Sequence, residues 1–307
     1  MIKSTYSKDN IAKFLSDKFD KEITLKPIVA GQESQVFSFY YDNKDFIIRI
    51  NPIIDGFLKD DYAYRNFSSI KVPIPKVVEY GSFDSSHSFC ISEKATGITF
   101  EDADEHTVNA LLSDMTELWL SISEIDISNT KGYGIFSSKD GNAPYSSWQE
   151  YLKNIFNEQE YDWNKVREMQ HVDSELFDDL KATLLSLIKY CPTDRKLSHG
   201  DFGSNNVLID DQTPKITAII DWDNASYGDP FYDIAGAYFW RNWLMCMEKT
   251  SSYWETMFKL IPNYNERIKC YQLHIGLEEI YENALNRDIK TLTWCQQRCR
   301  QILTDKT

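Results

Sequence analysis

Three polar residues in the second half of the chain stand beside two apolar runs. Asp201 and Asn206 lie in the stretch His-Gly-Asp-Phe-Gly-Ser-Asn-Asn-Val-Leu-Ile at 199–209, and Asp221 directly follows the β-rich run 215–220. Phosphoryl transfer requires one carboxylate that accepts the proton of an alcohol, and an amide and a second carboxylate that hold Mg²⁺ against nucleotide phosphates. In this order, Asp201 is the expected general base, and Asn206 and Asp221 are the expected metal ligands.

The segment between these residues predicts a β-hairpin. Runs 206–209 and 215–220 are rich in β-forming residues, and the turn-forming cluster 210–214 separates them. A hairpin brings its outer ends together, so Asn206 is expected beside Asp221, with two oxygen ligands converging on one cation. The alternative is that these polar residues are turn and cap residues of an ordinary surface hairpin, since Asp and Asn are common turn formers.

The elements that must position these residues form a strand-rich first part and a helix-rich second part, which indicates an α+β fold. In the first part, helices are predicted at 10–19 and 58–69. Strands are predicted at 23–29, 36–40, 46–50, 77–80 and 89–92. These strands would complete a five-stranded sheet with one helix packed on it. From Glu101 onward helical spacing dominates, and helices are predicted at 174–190, 233–249, 266–285 and 288–303.

The turn 30–36 between the first two predicted strands is the expected cover of the nucleotide phosphates. Gly31 permits a close backbone approach, and Ser34 with neighbouring N–H groups would donate to phosphate oxygens. Glycine in a hairpin turn is usually only a turn residue. The expectation therefore depends on the catalytic motif that accompanies it.

A cation on the third predicted strand has the position of a phosphate-binding residue. Arg49 shares a strand face with Ile47, so its guanidinium group needs a partner if that face is covered. The helix that follows offers Asp60 and Asp61, and periodicity does not choose between them. An ordinary solvent-facing strand cation is the alternative.

The composition sets limits on partners and on location. The 307 residues carry a formal net charge of −14, which argues against nucleic acid or an anionic membrane surface and favours a cationic substrate. Without a long apolar span or a signal-peptide pattern at the N-terminus, the chain is expected in the cytoplasm. The six cysteines include no Cys-x-x-Cys pair, so they are expected to be reduced core thiols, not zinc ligands or disulfides.

The chain resembles the aminoglycoside phosphotransferases from about Phe14 to about Leu303. The segments that carry the resemblance are 31–39, 55–60, 73–75, 199–208, 216–222, 239–248 and 275–277. The catalytic motif alone specifies the superfamily. The strings Asp-Phe-Gly-Ser-Asn-Asn-Val-Leu and Phe-Trp-Arg-Asn-Trp-Leu-Met-Cys-Met-Glu are similar to a narrower subgroup.

The resemblance implies a protein-kinase-like, two-lobed fold. A nucleotide-binding lobe would cover 1–94, and a larger helical lobe at 95–307 would hold the catalytic loop and the antibiotic. The backbone from Glu93 to Ala95 would be the hinge that meets the adenine of ATP. The resemblance also implies that Asp201 is the base and that Asn206 and Asp221 are metal ligands. Ser34 would donate a hydrogen bond to a nucleotide phosphate.

Two features depart from the wider family pattern. Arginine stands at position 49, where many relatives carry lysine, and an aspartate replaces the usual glutamate as its partner. A longer cation with a shorter acid spans a similar gap, so the pair is expected to survive.

Some polar residues of the motif are expected to be structural. His199 is expected to be buried and to brace its loop by hydrogen bonds. Residues 228–233 resemble a structural motif of the family, in which Asp229 would be a helix N-cap and Asp233 would anchor the helix.

The antibiotic pocket needs carboxylates and stacking surfaces near Asp201, because aminoglycosides and aminocyclitols carry several ammonium groups. The substrate-binding candidates are Asp223, Asn224, Glu278 and Glu279, with Trp240 and Trp243 as walls. The alternatives are helix core packing for the tryptophans and a solvated helix face for the glutamates.

The expected function is ATP- and Mg²⁺-dependent phosphorylation of a hydroxyl group of such an antibiotic, with hygromycin B as the expected substrate and resistance as the result. Two alternatives stay open: a kinase of another small amine, alcohol or antibiotic, and a protein that binds nucleotide or drug without turnover. The intact catalytic set argues against the second, because a pure binder does not need all three residues. A monomer is expected, and the choice between ATP and GTP stays open.

Overall fold

The computed structural model describes residues 6–28 and 34–305. The chain divides into two units, of which the first is Met1–Gly97 with Thr217–Asp223 and the second is Ile98–Ile216 with Asn224–Thr307. The first unit contains a large antiparallel sheet, and the second is mainly helical, so the predicted α+β class is confirmed.

Five antiparallel strands form the sheet of the first unit. They are β1 (Leu25–Pro27), β2 (Gln35–Tyr41), β3 (Lys44–Asn51), β4 (Val77–Ser82) and β5 (Ser88–Glu93). Their order is β1-β2-β3-β5-β4, so the predicted five-stranded sheet is confirmed. The turn between β2 and β3 places Asp42 and Asn43 at φ of 47° and 61°, a left-handed conformation that Asp and Asn tolerate in tight hairpins.

Two helices cover the two faces of this sheet. Helix α1 (Lys8–Phe19) begins at Ser7, whose side chain accepts a hydrogen bond from the Asn10 N–H group. Its buried residues pack in one apolar cluster with Ile48. Helix α2 (Asp55–Phe67) places Phe57 in a separate cluster.

Strand alternation decides which side chains of β3 meet α2. Ile48 points into the α1 cluster, whereas Phe57 of α2 packs with Val77 and Cys90. Successive residues of a strand face opposite sides of the sheet, so Arg49 lies on the α2 side. Its guanidinium carbon is 5.0 Å from the centroid of the Phe57 ring, which confirms that the strand face of Arg49 is covered.

The second unit consists of helices and short strands. Its helices are α3 (Glu105–Ser123), α4 (Trp148–Asn154), α5 (Trp163–Arg167), α6 (Ser174–Leu187), α7 (Phe231–Trp240), α8 (Met245–Phe258), α9 (Tyr264–Asn286) and α10 (Ile289–Thr304). Its strands are β6 (Ile98–Thr99), β7 (Gly134–Ile135), β8 (Lys196–Ser198), β9 (Val207–Ile209) and β11 (Ser226–Gly228). Strands β7, β11 and β8 form one sheet, and β6 pairs with β9. Helix α9 packs against α6, α7 and α10 at the centre of this unit.

The predicted hairpin turn follows β9. The Asp210 N–H group donates to the Lys215 carbonyl oxygen at 2.9 Å, and the Asp210 side chain accepts from the N–H groups of Gln212 and Thr213. These bonds close the turn before strand β10 (Ile216–Ile219), whose residues from Thr217 onward belong to the first unit.

The single helix predicted at 233–249 is wrong. The structure has α7 and α8 there, separated by a tight turn in which the N–H groups of Trp243 and Leu244 both donate to the Trp240 carbonyl oxygen, at 2.8 and 3.0 Å. Leu244 then adopts extended backbone angles that end the helical path. Apolar spacing continues across this break, which is why periodicity alone joined the two helices.

The first predicted strand, at 23–29, is too long. Strand β1 has only three residues, and the Ile23 N–H group before it donates to the Ser16 hydroxyl instead of a neighbouring strand. All six cysteines are buried and free, which agrees with the prediction of reduced core thiols. Within 6–28 and 34–305, the helices are too short or too polar to cross a membrane.

Candidate active site

The loop that follows β8 carries the predicted base and is fixed by its own backbone. Gly200 has φ of 84°, and a Cβ atom there would lie 2.0 Å from the Asn224 carbonyl oxygen, so only glycine fits. The N–H groups of His199 and Gly200 donate to the Asp233 carboxylate at 3.0 and 2.7 Å. His199 is fully buried, and its Nδ1 atom lies 3.4 Å from the Asp201 nitrogen, which confirms the predicted bracing role.

Asp233 therefore links α7 to the catalytic loop. Burial raises the pKa of its carboxyl group to about 7, with a further contribution from Asp201, while the bonds from Gly200 and His199 lower it in part. The helix N-cap itself is Pro230, one residue after the predicted Asp229. The Asp229 carboxylate still accepts from the first-turn N–H group of Phe231 at 3.2 Å, and it also forms a buried ion pair with Arg267 at 2.7 Å and accepts from Tyr271.

Asn206 is bonded directly to the predicted base. Its Nδ2 atom donates to the carbonyl oxygen of Asp201 at 2.9 Å and to carboxylate oxygen Oδ2 of Asp201 at 2.7 Å. The remaining polar atom of the amide, Oδ1, is an acceptor only and is the atom that a cation would bind.

The environment of Asp201 suits a proton acceptor. Loss of hydration within the surrounding protein raises the pKa of its carboxyl group, and the hydrogen bond from Asn206 lowers it in part. The side chain still presents surface to solvent, so an alcohol can reach it. A carboxylate whose pKa moves toward neutral accepts a proton more readily than an ordinary aspartate.

Glu101 braces the same loop, and sequence reasoning missed it. The Ser204 hydroxyl donates to Glu101 Oε2 at 2.6 Å, and the Glu101 N–H group donates to the Ser204 carbonyl oxygen at 3.1 Å. About a hundred residues separate the two in sequence. No local sequence pattern predicts a contact between residues so far apart.

Arg49 and Asp60 form an ion pair in the first unit, which resolves the choice left open by the sequence. Asp61, which is also buried, pairs instead with Arg65 at 2.9 Å, and only the arginine side chain of this pair is exposed. Burial alone would lower the pKa of the Arg49 guanidinium group. The charge of Asp60 and its hydrogen bond, with a smaller contribution from Asp221, outweigh that effect and raise the pKa.

Asp60 has a second partner. Its Oδ1 atom accepts from the Trp222 N–H group at 3.0 Å, in the peptide directly after Asp221. Asp221 has φ of 65° and an exposed side chain. Asp221 belongs to the first unit and Asn206 to the second, so their convergence on one cation stays a prediction.

The remaining nucleotide-binding candidates are placed only in part. Ser34 lies at the start of the described segment before β2, and its hydroxyl accepts from Asn51 Nδ2 at 3.2 Å; Gly31 lies outside the described residues. The Glu93 N–H group donates to the carbonyl oxygen of Lys76, and the Glu93 carboxylate pairs with Lys44 at 3.0 Å. Ala95 is half-buried in the segment after β5. The hinge role of Glu93 and Ala95 stays a prediction.

The metal-ligand candidates fit a hard cation. The Asn206 Oδ1 atom and the Asp221 carboxylate would offer oxygen ligands, which Mg²⁺ prefers, and phosphate and water would complete such a shell. Over the described ranges, no group of three or more His, Cys, Asp or Glu side chains is arranged to hold a metal ion.

Two glutamates on α9 lie in a half-buried environment, not on a solvated helix face. Glu278 accepts from the Tyr232 hydroxyl at 2.9 Å, and Glu279 accepts from Asn283 Nδ2 at 3.0 Å. Burial raises the pKa of the Glu279 carboxyl group to about 8, with further increases from Glu282, Asp201 and Glu278.

Three tryptophans form a partly exposed cluster rather than helix core. Trp240 stacks on Trp294 with ring centroids 5.1 Å apart and an interplanar angle of 1°, and Trp243 meets Trp294 edge-on at 4.9 Å. Trp243 keeps 37% of its surface exposed. Trp294 was absent from the sequence prediction, because the aromatic pattern pointed only to the stretch between α7 and α8.

The other two substrate candidates lie in different surroundings. Asp223, in the first unit, is held by Lys59, whose Nζ atom lies 3.1 Å from Asp223 Oδ1. Asn224, in the second unit, is exposed and packs against Gly200 in the catalytic loop.

Comparison with known proteins identifies relatives along nearly the whole chain. The model of the phosphotransferase enzyme family matches residues 24–256. Hygromycin-B 4-O-kinase of Escherichia coli is 36% identical over 303 residues, which cover 99% of this chain and 87% of that protein. Acyl-CoA dehydrogenase family member 11 of Homo sapiens is 24% identical over 85% of this chain and only 34% of its own length.

Solved structures give the same relationship. A thermostable mutant of an aminoglycoside phosphotransferase, crystallised with ADP and hygromycin B, superposes with a TM-score of 0.90 at 35% identity, covering 97% of this chain and 100% of that one. A fructosamine-3-kinase of Haemophilus somnus superposes with a TM-score of 0.65 at 18% identity, covering 95% of this chain and 96% of that one, which shows a shared fold.

Proposed function

We propose that this chain, which belongs to the phosphotransferase enzyme family, transfers the γ-phosphoryl group of ATP to a hydroxyl group of hygromycin B. The observation that carries the proposal is the hydrogen-bonded pair of Asn206 and Asp201 in a loop fixed by Asp233. The similarity to hygromycin-B 4-O-kinase, over 99% of this chain, supports the choice of substrate.

Asp201 would act on the acceptor hydroxyl group. The hydroxyl donates a hydrogen bond to the carboxylate, and its proton passes to Asp201 as the new O–P bond forms. The bond between the γ-phosphorus and the β,γ-bridging oxygen breaks at the same time, and ADP leaves. Asn206 holds the carboxylate in place throughout, because its Nδ2 atom bonds both the side chain and the backbone of Asp201.

Charge neutralisation would come from two sources. Mg²⁺, held by the carbonyl oxygen of Asn206 and the carboxylate of Asp221, would supply positive charge at the β- and γ-phosphates when bound. Arg49 would supply a permanent guanidinium charge to the same phosphates, and Asp60 keeps that group ionised and oriented. Ser34, Gly31 and the hinge from Glu93 to Ala95 complete the proposed nucleotide contacts.

The antibiotic would be recognised by charge and by stacking. Asp201, Glu278 and Glu279 provide carboxylates for ammonium groups, and Asn224 adds a polar side chain beside the catalytic loop. Trp240 and Trp243 offer apolar faces to the sugar rings. The net charge of −14 raises the local concentration of a polycation.

The remaining expectations are part of this proposal. The enzyme would act as a monomer in the cytoplasm, where ATP is available, and would need neither nucleic acid nor a membrane. Antibiotic modification there would protect the host cell.

The test is a product analysis with several acceptors. Purified protein would be incubated with ATP or GTP, Mg²⁺ and hygromycin B, and the mass of the antibiotic measured, with kanamycin and simple amino alcohols as parallel acceptors. We expect hygromycin B to gain one phosphoryl group. Phosphorylation of another acceptor alone would leave the kinase class standing and contradict the substrate, whereas nucleotide binding without any transfer would contradict the enzyme.

A further inference from the structure

Helix α2 contacts the segment Asp221 to Asp223 through two consecutive residues. Asp60 accepts from the Trp222 N–H group at 3.0 Å. Lys59 donates from Nζ to the Asp223 carbonyl oxygen at 2.6 Å and lies 3.1 Å from Asp223 Oδ1. All of these residues belong to the first unit.

Lys59 is an unusual residue to find in this position. Only 6% of its surface is exposed, whereas lysine is almost never fully buried unless it is paired. Its other acidic neighbour, Asp55, is 3.8 Å away, so the close contacts of the ammonium group are both on Asp223. Arg65 on the same helix gives a contrast, since its side chain is 68% exposed although its partner Asp61 is buried.

The backbone that these residues hold begins at a residue with positive φ. Asp221 adopts φ of 65°, a left-handed conformation that aspartate tolerates better than most residues but that is still uncommon outside glycine. Such a conformation persists when the neighbouring peptide groups are fixed. The bond from Trp222 to Asp60 fixes the first peptide group after Asp221, and the bond from Lys59 fixes the carbonyl group of Asp223.

The same helix also orients the phosphate-binding cation. Asp60 binds Arg49 through one carboxylate oxygen and the Trp222 N–H group through the other. Lys59 therefore completes a continuous set of contacts from β3 through α2 to the 221–223 segment.

We propose that Lys59 is a positioning residue that, with Asp60, fixes the Asp221–Asp223 segment so that the Asp221 carboxylate is presented to the metal ion of a bound nucleotide. This assignment rests on the proposed function, because it takes Asp221 as a metal ligand. It adds a residue that acts on the metal only through the backbone and side chain of Asp223. Substitution of such an outer partner typically lowers metal affinity about 10- to 100-fold.

The test measures nucleotide binding without any antibiotic. Calorimetry would give the ADP affinity of wild-type protein and of Lys59→Met, each with Mg²⁺ and with EDTA. We expect the factor by which Mg²⁺ strengthens ADP binding to be about tenfold smaller in Lys59→Met than in the wild type. Metal-free ADP binding should be unchanged. Asp221→Ala should remove the whole effect of Mg²⁺, and Lys59→Arg should restore part of it.

Arg65→Met is the matched control, because it removes the cation of another ion pair on the same helix, that of Arg65 with the buried Asp61. We expect it to bind ADP as the wild type does in both conditions. If Lys59→Met does not fold, Asp223→Ala serves instead, since it removes one of the two groups that Lys59 holds and should give a smaller loss of the same kind.

The outcomes separate this inference from the proposed function. If Mg²⁺ strengthens ADP binding as much in Lys59→Met or Asp223→Ala as in the wild type, that result overturns the role of Lys59 and leaves the enzyme proposal intact. Equal loss of metal-bound and metal-free ADP binding would show a merely structural role and would also overturn it. If Mg²⁺ does not change the ADP affinity of the wild-type protein, the result contradicts both the metal site and this inference.

Discussion

Asn206 donates from Nδ2 to the Asp201 carboxylate at 2.7 Å. The residue expected to bind metal through one atom of its amide thus orients the expected base through the other atom. The pairing joins the position of the acceptor hydroxyl group to the position of the nucleotide phosphates. Loss of Asn206 should therefore affect both the metal and the proton transfer.

The first prediction concerns the pH dependence of Asn206→Ala. The bond from Asn206 lowers the pKa of Asp201 in the wild type, so its removal should raise that pKa. A base must be deprotonated to act, so the acidic limb of the kcat/KM profile should move to higher pH in the variant. Saturating Mg²⁺ during the measurement separates this effect from weaker metal binding. An acidic limb at the wild-type position would contradict the coupling.

A second prediction is that Arg49 acts on the nucleotide. Arg49→Ala should raise the KM for ATP by about tenfold or more, because a charge-assisted contact to phosphate is lost. The change also leaves Asp60 buried without its cation, so thermal stability must be followed in parallel. Arg49→Lys keeps the charge and should raise the KM less. If both variants lose stability but keep the ATP KM, Arg49 is structural. The control Arg65→Ala removes the cation paired with Asp61 on the same helix and should leave the ATP KM unchanged.

A third prediction follows from the pKa of Glu279, which burial and neighbouring carboxylates raise to about 8. Its ordinary value is about 4.3, so the folded protein binds this proton more tightly than the unfolded chain. The free energy of unfolding should therefore fall as pH rises from about 4.3 to about 8. In Glu279→Gln this loss should be smaller, as urea unfolding at several pH values would show. An identical slope in both proteins would contradict the raised pKa.

The same group should link antibiotic binding to pH. A cationic ligand favours the ionised carboxylate, so binding below a pH of about 8 should release a proton from Glu279. Affinity for hygromycin B should thus rise between pH 6 and 7.5, and the rise should be weaker in Glu279→Gln. Calorimetry in buffers with different ionisation enthalpies measures the released proton directly. No release in the wild type would place Glu279 outside the antibiotic site.

A fourth prediction tests the tryptophan cluster. Trp243→Ala should raise the KM for hygromycin B and leave the KM for ATP unchanged, because Trp243 is 37% exposed and is held edge-on by Trp294. Trp294→Ala removes the support of both other rings and should have a similar effect. The control is Trp254→Ala, a fully buried ring whose loss should act mainly on stability. Equal effects on both substrates would point to general misfolding.

Sequence reasoning reached the sheet and the catalytic loop because both depend on local patterns. Alternating apolar residues specify β2 and β3, and the spacing of Asp201 and Asn206 in one short loop fits the hydrogen bond between them. The choice of Asp60 over Asp61 needed coordinates, since both lie on α2 and only the helix rotation decides which one faces Arg49. Bonds between distant segments, such as Glu101 to Ser204, leave no signal in one sequence. The break between α7 and α8 was missed because apolar spacing runs through it.

Lys59 is another residue whose surroundings could not be predicted from the sequence. A lysine beside two aspartates at a helix start is typical of a solvated surface, yet this side chain is buried against Asp223. Only the fold shows that it faces inward.

The central claim is that Asp201 accepts the proton of the antibiotic hydroxyl group. Asp201→Asn keeps the shape of the side chain and its contact with Asn206 but removes the basic oxygen. The rate of phosphoryl transfer from ATP to hygromycin B should fall about 10²- to 10⁴-fold, while ADP affinity with Mg²⁺ stays at the wild-type value. Transfer at nearly the wild-type rate in this variant would contradict the assignment of Asp201 as the base.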